Sequence, residues 1–411
     1  MKCVINDQIA LLRPLEGPLA LYIAAFSKRA SVQGYALSSL RKRIRVTAGF
    51  SRWLADKSIR LRSVSSGHSA QYLRYRARRL RICEGDATAL REFLDFLRHQ
   101  AVIPTEKVHR RLSPVERCAQ RFERYLREER QLANATIVNY MPFIRDFLDD
   151  CCGKGPVRLS RLRAGHVVRF VQRQVPRLHL KRAKLLTTAL RSFLQYARYR
   201  GDIRLDLVAA VPVVANWSMS SIPRAIAPDQ VHRLLAHIDR HTEVGRRDYA
   251  VLLLLARLGL RSGEVATLEL EDINWKNGSL NVHGKGGRRL QLPLPTDVGK
   301  AIAAYLRHGR PRSTSRRVFL RARAPIRGFA GPGAVGTIVR HAILRAGIDA
   351  PTTGAHQFRH GLATEMLRHG AALSEIGELL GHRSPETTKI YTTVDLDALR
   401  TLALPWPGGV R

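Results

Sequence analysis

The chain has 411 residues, 45% of them hydrophobic, and its 70 Lys and Arg against 33 Asp and Glu give a formal net charge of +37. This length predicts two or three domains, and the apolar content is ample for ordinary cores, which excludes a wholly disordered chain. An enzyme of small metabolites needs no such charge, so we expect a polyanionic partner, either nucleic acid or an anionic membrane surface. Lys and Arg are interleaved with apolar residues throughout, which predicts charged folded surfaces and favours nucleic acid.

Three features argue against a membrane-spanning or secreted protein. The most apolar run, residues 251–255, is far too short to cross a bilayer. Asp7 and Arg13 interrupt the apolar residues at the N-terminus, so no signal-peptide segment of adequate length forms. The five cysteines include no CxxC spacing and are odd in number, which suggests neither a zinc site nor a disulfide framework. We therefore expect a cytoplasmic protein.

The first half of the chain contains an internal repeat. "ALREFLDFLRHQAVI" begins at Ala89 and "ALRSFLQYARYRGDI" at Ala189, and the Gly-His pair at 67–68 recurs at 165–166. Apolar residues recur at helical spacing in each copy, with arginines on the outer face, where they are free to contact phosphates. We predict two all-helical bundles, one over residues 1–112 and one over residues 113–211.

The second half predicts a mixed domain. Residues 212–223 lack helical periodicity and read as a linker, and a helix is expected to start at Pro228. A buried helix ends at Gly259, and "LEDINWKNGSLNVHGKGGRRLQLPL" alternates apolar and polar residues between tight turns, as in a small antiparallel sheet. Helical patterns return after Pro332. Residues 224–411 are therefore expected to be mainly α with a three-stranded antiparallel β-sheet.

Polar residues occur at three corners of this domain. Arg261 lies between two buried helices, with Ser262 as the expected N-cap of the second. His356 and Arg359, three residues apart on a helix, leave the same face, and with Arg261 they would form a clamp for a phosphate. Lys285, in the glycine-rich tip "GKGG", would reach into a nucleic-acid groove or protonate a leaving oxygen. Taken singly, each of these residues also fits an ordinary solvated side chain.

A histidine and a tyrosine follow near the C-terminus. We expect Ser374 to cap a short helix and Gly381 to end it in the left-handed conformation, which presents His382 at a rigid turn. The next helix would start at Ser384-Pro385 and carry Tyr391 about two turns in. By itself Tyr391 reads equally as a packed aromatic.

The pieces "GLRSGEVATLEL", "GKGGRRLQLPL", "HQFRH", "LGH" and "IYTTVD", in this order and at these intervals, resemble the tyrosine recombinase (phage integrase) family. The resemblance covers the chain from about residue 223 to its end, and residues 113–211 resemble that family's core-binding domain. Residues 1–112 exceed the family's minimal plan, and we leave open whether they contact DNA or protein.

The resemblance implies an enzyme in which Tyr391 attacks a phosphodiester, forms a 3′-phosphotyrosyl link and frees a 5′-hydroxyl. Arg261 and Arg359 would hold the non-bridging oxygens, and Lys285 would protonate the leaving oxygen. His382 would donate to the phosphate, and His356 would assist proton transfer at the nucleophile. No metal and no cofactor are implied.

The implied partners are double-stranded DNA and further copies of the chain, as a tetramer on two DNA sites, with related recombinases as further candidates. A mobile element is the expected setting. The apolar tail, residues 396–407, would dock on a neighbouring subunit or cover its own core. The alternatives are a type IB topoisomerase, which would relax supercoiled DNA without a recombination site, and a non-catalytic DNA-binding protein, which would have no use for the nucleophile.

Overall fold

The computed structural model describes residues 3–5, 9–11, 14–80, 83–105, 112–153, 155–214, 225–284, 289–350, 352–381 and 388. The described chain is mainly helical with a small three-stranded antiparallel sheet, which confirms the predicted fold class. It divides into two compact units, Met1–Glu106 together with Ser221–Arg411, and Lys107–Ser220. In the parts of the chain just given, no helix has the length and apolar content to span a membrane.

The N-terminal segment is a helical bundle preceded by a short hairpin. Strands β1 (Cys3–Ile5) and β2 (Ile9–Leu11) pair antiparallel, with Val4 opposite Ala10. Four helices follow, and their apolar faces enclose one core around Phe50 and Phe93. They are α1 (Ala20–Val32), α2 (Leu37–Asp56), α3 (Ser66–Ala77) and α4 (Asp86–His99).

The unit Lys107–Ser220 is a second helical bundle with a core of its own. Phe122 and Phe193 meet edge to face at its centre, with ring centroids 5.2 Å apart. Ser113 Oγ caps the first helix by accepting from Glu116 N at 3.0 Å. The helices are α5 (Pro114–Glu128), α6 (Asn134–Cys152), α7 (Ala164–Gln174) and α8 (Leu180–Tyr199).

The residues repeated in the sequence lie at matching places in the two bundles. Helices α4 and α8 bury the repeated apolar positions, which are Leu90, Phe93 and Leu94 in one and Leu190, Phe193 and Leu194 in the other. The repeated Gly-His pairs start α3 and α7 with the same cap. In α3 the Nδ1 atom of His68 accepts from Ser65 N, and in α7 that of His166 accepts from Arg163 N, both at 3.1 Å. A common origin of the two bundles and their predicted boundaries remain predictions.

The C-terminal part of the chain contains the three-stranded sheet and seven described helices. Strands β3 (Ile273–Asn274), β4 (Ser279–His283) and β5 (Arg289–Pro293) pair in that order, with Ile273 opposite Leu280 and Leu280 opposite Leu292. The helices are α9 (Pro228–Ala236), α10 (Glu243–Leu258), α11 (Ser262–Thr267), α12 (Thr296–His308), α13 (Pro332–Arg345), α14 (His356–Arg368) and α15 (Leu373–Leu379).

Helix α10 is the central element of this part. Its leucines are buried, as the uninterrupted apolar run predicts, and it contacts α9, α11, α12, α13 and α14. It ends at Gly259, whose φ of +59° is left-handed. The buried helix and the break after it therefore lie where the sequence predicts them, and they position the corner that carries Arg261.

Candidate active site

Arg261 is held at the corner between α10 and α11 by a carboxylate. Glu264 Oε2 accepts from Arg261 N, and Glu264 Oε1 accepts from Arg261 Nη1, each at 2.8 Å. The Glu264 side chain is only 8% exposed and that of Arg261 is 34% exposed. A nearly buried carboxylate therefore fixes a guanidinium that solvent still reaches.

The expected cap at Ser262 is wrong. Arg261 itself is the N-cap residue, and Ser262 is the first residue of α11. The backbone N–H of Arg261 is satisfied by the side chain of Glu264, which is the carboxylate half of a capping box. Ser262 therefore lies one position too far along the chain to be the N-cap residue.

Arg359, in "HQFRH", is hydrogen-bonded to one residue of "GLRSGEVATLEL" and one residue of "LGH". It is 4% exposed, its Nη1 donates to the carbonyl of Gly259 at 2.8 Å, and its Nη2 donates to the carbonyl of Leu380. Those carbonyls belong to the last residues of two helical segments, where helical carbonyls lack intrahelical partners. Gly259 lies two residues before Arg261, and Leu380 lies two residues before His382. One guanidinium thus brings the chain segments leading to both residues together.

Close packing and backbone conformation both favour glycine at position 259. A Cβ there would lie 2.8 Å from Leu380 Cδ2, 3.0 Å from Leu362 Cδ2 and 3.7 Å from Arg359 Cγ. The left-handed φ is a second reason for glycine at this position, because residues with a side chain rarely adopt it. The end of α10 therefore approaches α14 and Leu380 without displacing the leucine side chains.

The turn after α15 also meets the sheet. Gly381 has a φ of +59°, which confirms the predicted left-handed end of the helix, and a Cβ there would lie 3.5 Å from Leu290 Cδ2. Leu290 belongs to β5, the strand that follows Lys285 in the sequence. The expected cap at Ser374 is wrong, because Ala372 is the N-cap residue and its N–H donates to Glu375 Oε2 at 2.8 Å.

His356 and Arg359 differ in depth. His356 is the first residue of α14 and is exposed, whereas Arg359, one turn later, is buried. The His356 ring lies 6.2 Å from that of His360, centroid to centroid. The pair is therefore one surface imidazole and one interior guanidinium on the same first turn of a helix.

Three predicted site residues, Lys285, His382 and Tyr391, lie outside the described residues, as do Ser384 and Pro385. Thr388, three residues before Tyr391, is described. It is helical and 2% exposed, and its Oγ1 lies 3.2 Å from where a Cβ on Gly377 of α15 would be. Thr388 is thus packed against the same short helix, α15, that comes before His382 in the sequence.

Glu264 is a residue of this site that was not predicted from the sequence. The signal was present, since an acidic residue three positions after a helix-starting residue is typical of a capping box. What the pattern does not reveal is that the same carboxylate also binds the guanidinium of Arg261.

The chain matches two known family descriptions. Residues 224–397 match the Phage integrase family, and residues 119–201 match the Phage integrase, N-terminal SAM-like domain. The putative integrase/recombinase y4rA of Sinorhizobium fredii (strain NBRC 101917 / NGR234) is 58% identical over 409 residues, which cover 99% of each chain.

More distant relatives are also recombinases. Tyrosine recombinase XerD of Listeria monocytogenes serotype 4b (strain F2365) is 30% identical over 279 residues, covering 66% of this chain and 92% of that protein. The crystal structure of XerH site-specific recombinase in a post-cleavage complex with palindromic difH substrate has the same fold, with a TM-score of 0.56 and 19% identity. That comparison covers 76% of this chain and 94% of XerH. The chain belongs to the phage integrase family, the tyrosine recombinases.

Proposed function

We propose that this chain is a site-specific DNA recombinase that cuts and rejoins DNA through a 3′-phosphotyrosyl intermediate on Tyr391. The observation that carries the proposal is the convergence at Arg359. Its guanidinium binds the carbonyls of Gly259 and Leu380, and so gathers the segments that lead to Arg261 and His382. Family membership supplies the reaction class.

The two arginines are assigned to the phosphate. Negative charge develops on the non-bridging oxygens as Tyr391 attacks, and guanidinium groups fixed in advance stabilise that charge without reorganising. Glu264 keeps Arg261 in place from a nearly buried position. Arg359 is fixed more firmly, because it is buried and bonded to two carbonyls.

The remaining roles concern protons. A tyrosine hydroxyl with a reference pKa near 10 is mostly protonated at neutral pH, so Tyr391 needs cations or a base nearby to react. His356 assists removal of that proton, Lys285 protonates the departing 5′-oxygen, and His382 donates to the phosphate. The phosphotyrosine ester conserves the energy of the broken bond, so rejoining requires no ATP.

The proposed partners follow from charge and stoichiometry. A net charge of +37 suits a protein that covers double-stranded DNA. Exchange between two duplexes requires four strands to be cut, and each chain carries one proposed nucleophile, so four copies on two sites are required. We propose that a mobile element encodes the chain, that the chain acts in the cytoplasm, and that the outcome is integration or transposition.

The test is a covalent trap. A duplex is selected from a random-sequence pool by binding to the full chain, and a nick is placed beside each phosphate in turn, so that a short 5′-hydroxyl fragment diffuses away after cleavage. The full chain is expected to form a denaturation-resistant adduct at one phosphate. Tyr391→Phe is expected to bind the duplex but form no adduct; an undiminished adduct with this variant would refute the proposal.

A further inference from the structure

A His–Asp pair lies at the base of the hairpin that carries Lys285 in the sequence. His283 is the last residue of β4, and its Nε2 lies 2.9 Å from Oδ1 of Asp272. The Asp272 side chain is 10% exposed and that of His283 is 48% exposed. Neither residue has a part in the proposed chemistry so far.

Asp272 is fixed by the backbone on its other side. Its Oδ2 accepts from Glu269 N at 2.8 Å, which caps the short 3-10 turn Leu270–Asp272. The next residue, Ile273, is already paired with Leu280 in the sheet. The carboxylate therefore has one oxygen on the turn that follows α11 and the other on the end of β4.

This arrangement links the segment that follows α11 to the strand that precedes Lys285 in the sequence. Helix α11, whose N-cap residue is Arg261, leads through the capped turn to Asp272, which contacts His283. His283 and Arg289 form the last pair of the β4–β5 ladder before the tip. Lys285 follows His283 by two residues.

We propose that the Asp272–His283 pair is a positioning device for Lys285 in the proton transfer to the leaving 5′-oxygen. The inference rests on the proposed function, because it requires Lys285 to be the general acid. A general acid must lie within hydrogen-bond reach of the oxygen it protonates, and a misplacement of about 1 Å can cost on the order of a hundredfold in rate. Anchoring the strand end two residues earlier limits that misplacement.

The contact between Asp272 and His283 is better suited to positioning Lys285 than to stabilising the fold. An ion pair with one half-exposed partner contributes little to folding. A variant that lacks the imidazole is therefore expected to remain folded, and any loss of rate reports placement at the site.

The chemistry of the leaving group provides a selective readout. In the ordinary reaction the Tyr391 oxygen bonds to phosphorus, the bond from phosphorus to the 5′-oxygen breaks, and that oxygen takes a proton from Lys285 to become a hydroxyl. If sulfur replaces the bridging 5′-oxygen, the group leaves as a stable thiolate and needs no proton. A defect in acid catalysis slows only the ordinary substrate, whereas a damaged site slows both.

The experiment compares cleavage rates of the full chain on the selected duplex with either oxygen or sulfur at the bridging 5′ position. His283→Ala is expected to be about 10-fold slower on oxygen and within about 2-fold of the unaltered chain on sulfur. His283→Gln, which can keep a donor near the Nε2 position, is expected to recover part of the lost rate. Gln291→Ala removes another side-chain pair of the same hairpin, Gln291 Nε2 to Ser279 Oγ at 3.1 Å, and should change neither rate.

Lys285→Ala separates failure of this inference from failure of the proposed function. If Lys285→Ala is slow on oxygen and recovers on sulfur, Lys285 is the acid. In that case equal slowing of His283→Ala on both substrates, or no slowing on either, overturns the positioning role. If Lys285→Ala does not recover on sulfur, the proposed acid itself is wrong, and the positioning role fails with it.

Discussion

Arg261 and Arg359 are two guanidinium groups proposed for one phosphate, and their surroundings differ. Arg261 is about one-third exposed and is held by a single carboxylate, Glu264. Arg359 is buried and satisfies two backbone carbonyls that terminate helical segments. Arg359 therefore has a structural task in addition to its proposed chemical one, and Arg261 has mainly the chemical one.

Because of this difference, substitutions of the two arginines should reduce stability to different extents while both abolish activity. Arg359→Ala leaves two buried carbonyls without their donors and should lower the free energy of unfolding by about 2–4 kcal/mol. Arg261→Gln should lower it by less than about 1 kcal/mol, since Glu264 keeps its backbone hydrogen bond. Both should lose DNA cleavage. Urea denaturation and the covalent trap measure the two effects, and equal loss of stability in both variants would contradict the assignment.

The elements around the site meet through residues that lack side chains. Gly259 allows α10 to end against Leu362 of α14 and Leu380, and Gly381 turns the chain beside Leu290 of β5. Gly361 in α14 has the same function toward the segment before α9, since a Cβ there would lie 2.9 Å from the carbonyl oxygen of Ile226. These elements thus approach one another where a glycine leaves room for a neighbouring side chain or carbonyl.

Gly259→Ala tests this packing against a matched control. The substitution adds a left-handed strain of about 1–2 kcal/mol and an overpacking cost of about 1–3 kcal/mol. Gly347→Ala, at the same φ of +59° but with no atom within 4 Å of the added Cβ, should show only the first cost. We expect Gly259→Ala to be the less stable of the two and to lose cleavage. Equal stabilities would show that the close contacts relax freely.

The α5–α6 contact predicts a pH dependence. Hydrogen bonds from the Arg145 guanidinium hold the pKa of Glu116 below its usual range, with contacts of 2.9 and 3.1 Å. A lowered folded pKa gives stability above the ordinary pKa that disappears as the pH falls through the folded value. Glu116→Gln should therefore weaken amide-exchange protection of α5 and α6 by up to about 1 kcal/mol at pH 7 and by nothing once the pH is below the folded pKa. Glu128→Gln, at an exposed position of α5, is the control; a defect that persists in acid would contradict the assignment.

Local patterns in the sequence predicted the helices and strands. They did not predict the contacts that bring these elements together, because those contacts join residues distant in sequence. The end of α10 at Gly259, the sheet and the left-handed Gly381 follow from residue types that act on their immediate neighbours. The bond from Arg359 to Gly259 spans 100 residues, and no periodicity encodes it. The predicted serine caps are wrong because both helices start earlier, at N-cap residues Arg261 and Ala372, whose N–H groups donate to Glu264 and Glu375.

At the scale of the molecule, the N-terminal bundle contacts the C-terminal part of the same compact unit. Ile326 N donates to the carbonyl of Gln33 at 2.9 Å, in the turn between α1 and α2. The next residue is Gly34, with a φ of +80°, and a Cβ there would lie 2.5 Å from Ile326 Cγ1. The loop between α1 and α2 is thus one place where the two parts of this unit touch, and the role of residues 1–112 stays a prediction.

A disulfide tests this contact. The Cβ of a residue at position 34 would lie 3.5 Å from that of Ile326, within the range of disulfides. Gly34→Cys with Ile326→Cys should therefore give, on mild oxidation, a faster-migrating monomer on non-reducing gels, and neither single variant should do so. A species linked only between two chains, or no bond at all, would contradict packing within one chain.

Tyr391 is proposed to form a 3′-phosphotyrosyl bond. The most direct test of this proposal is to locate that bond. The trapped complex is made with the cleaved strand labelled at its 5′ or its 3′ end, digested with a protease and analysed by tandem mass spectrometry. We expect that the 5′ label stays with the protein, that the 3′-labelled fragment leaves with a 5′-hydroxyl, and that the nucleotide is on Tyr391. A nucleotide on any other residue, or retention of the 3′ label, would contradict it.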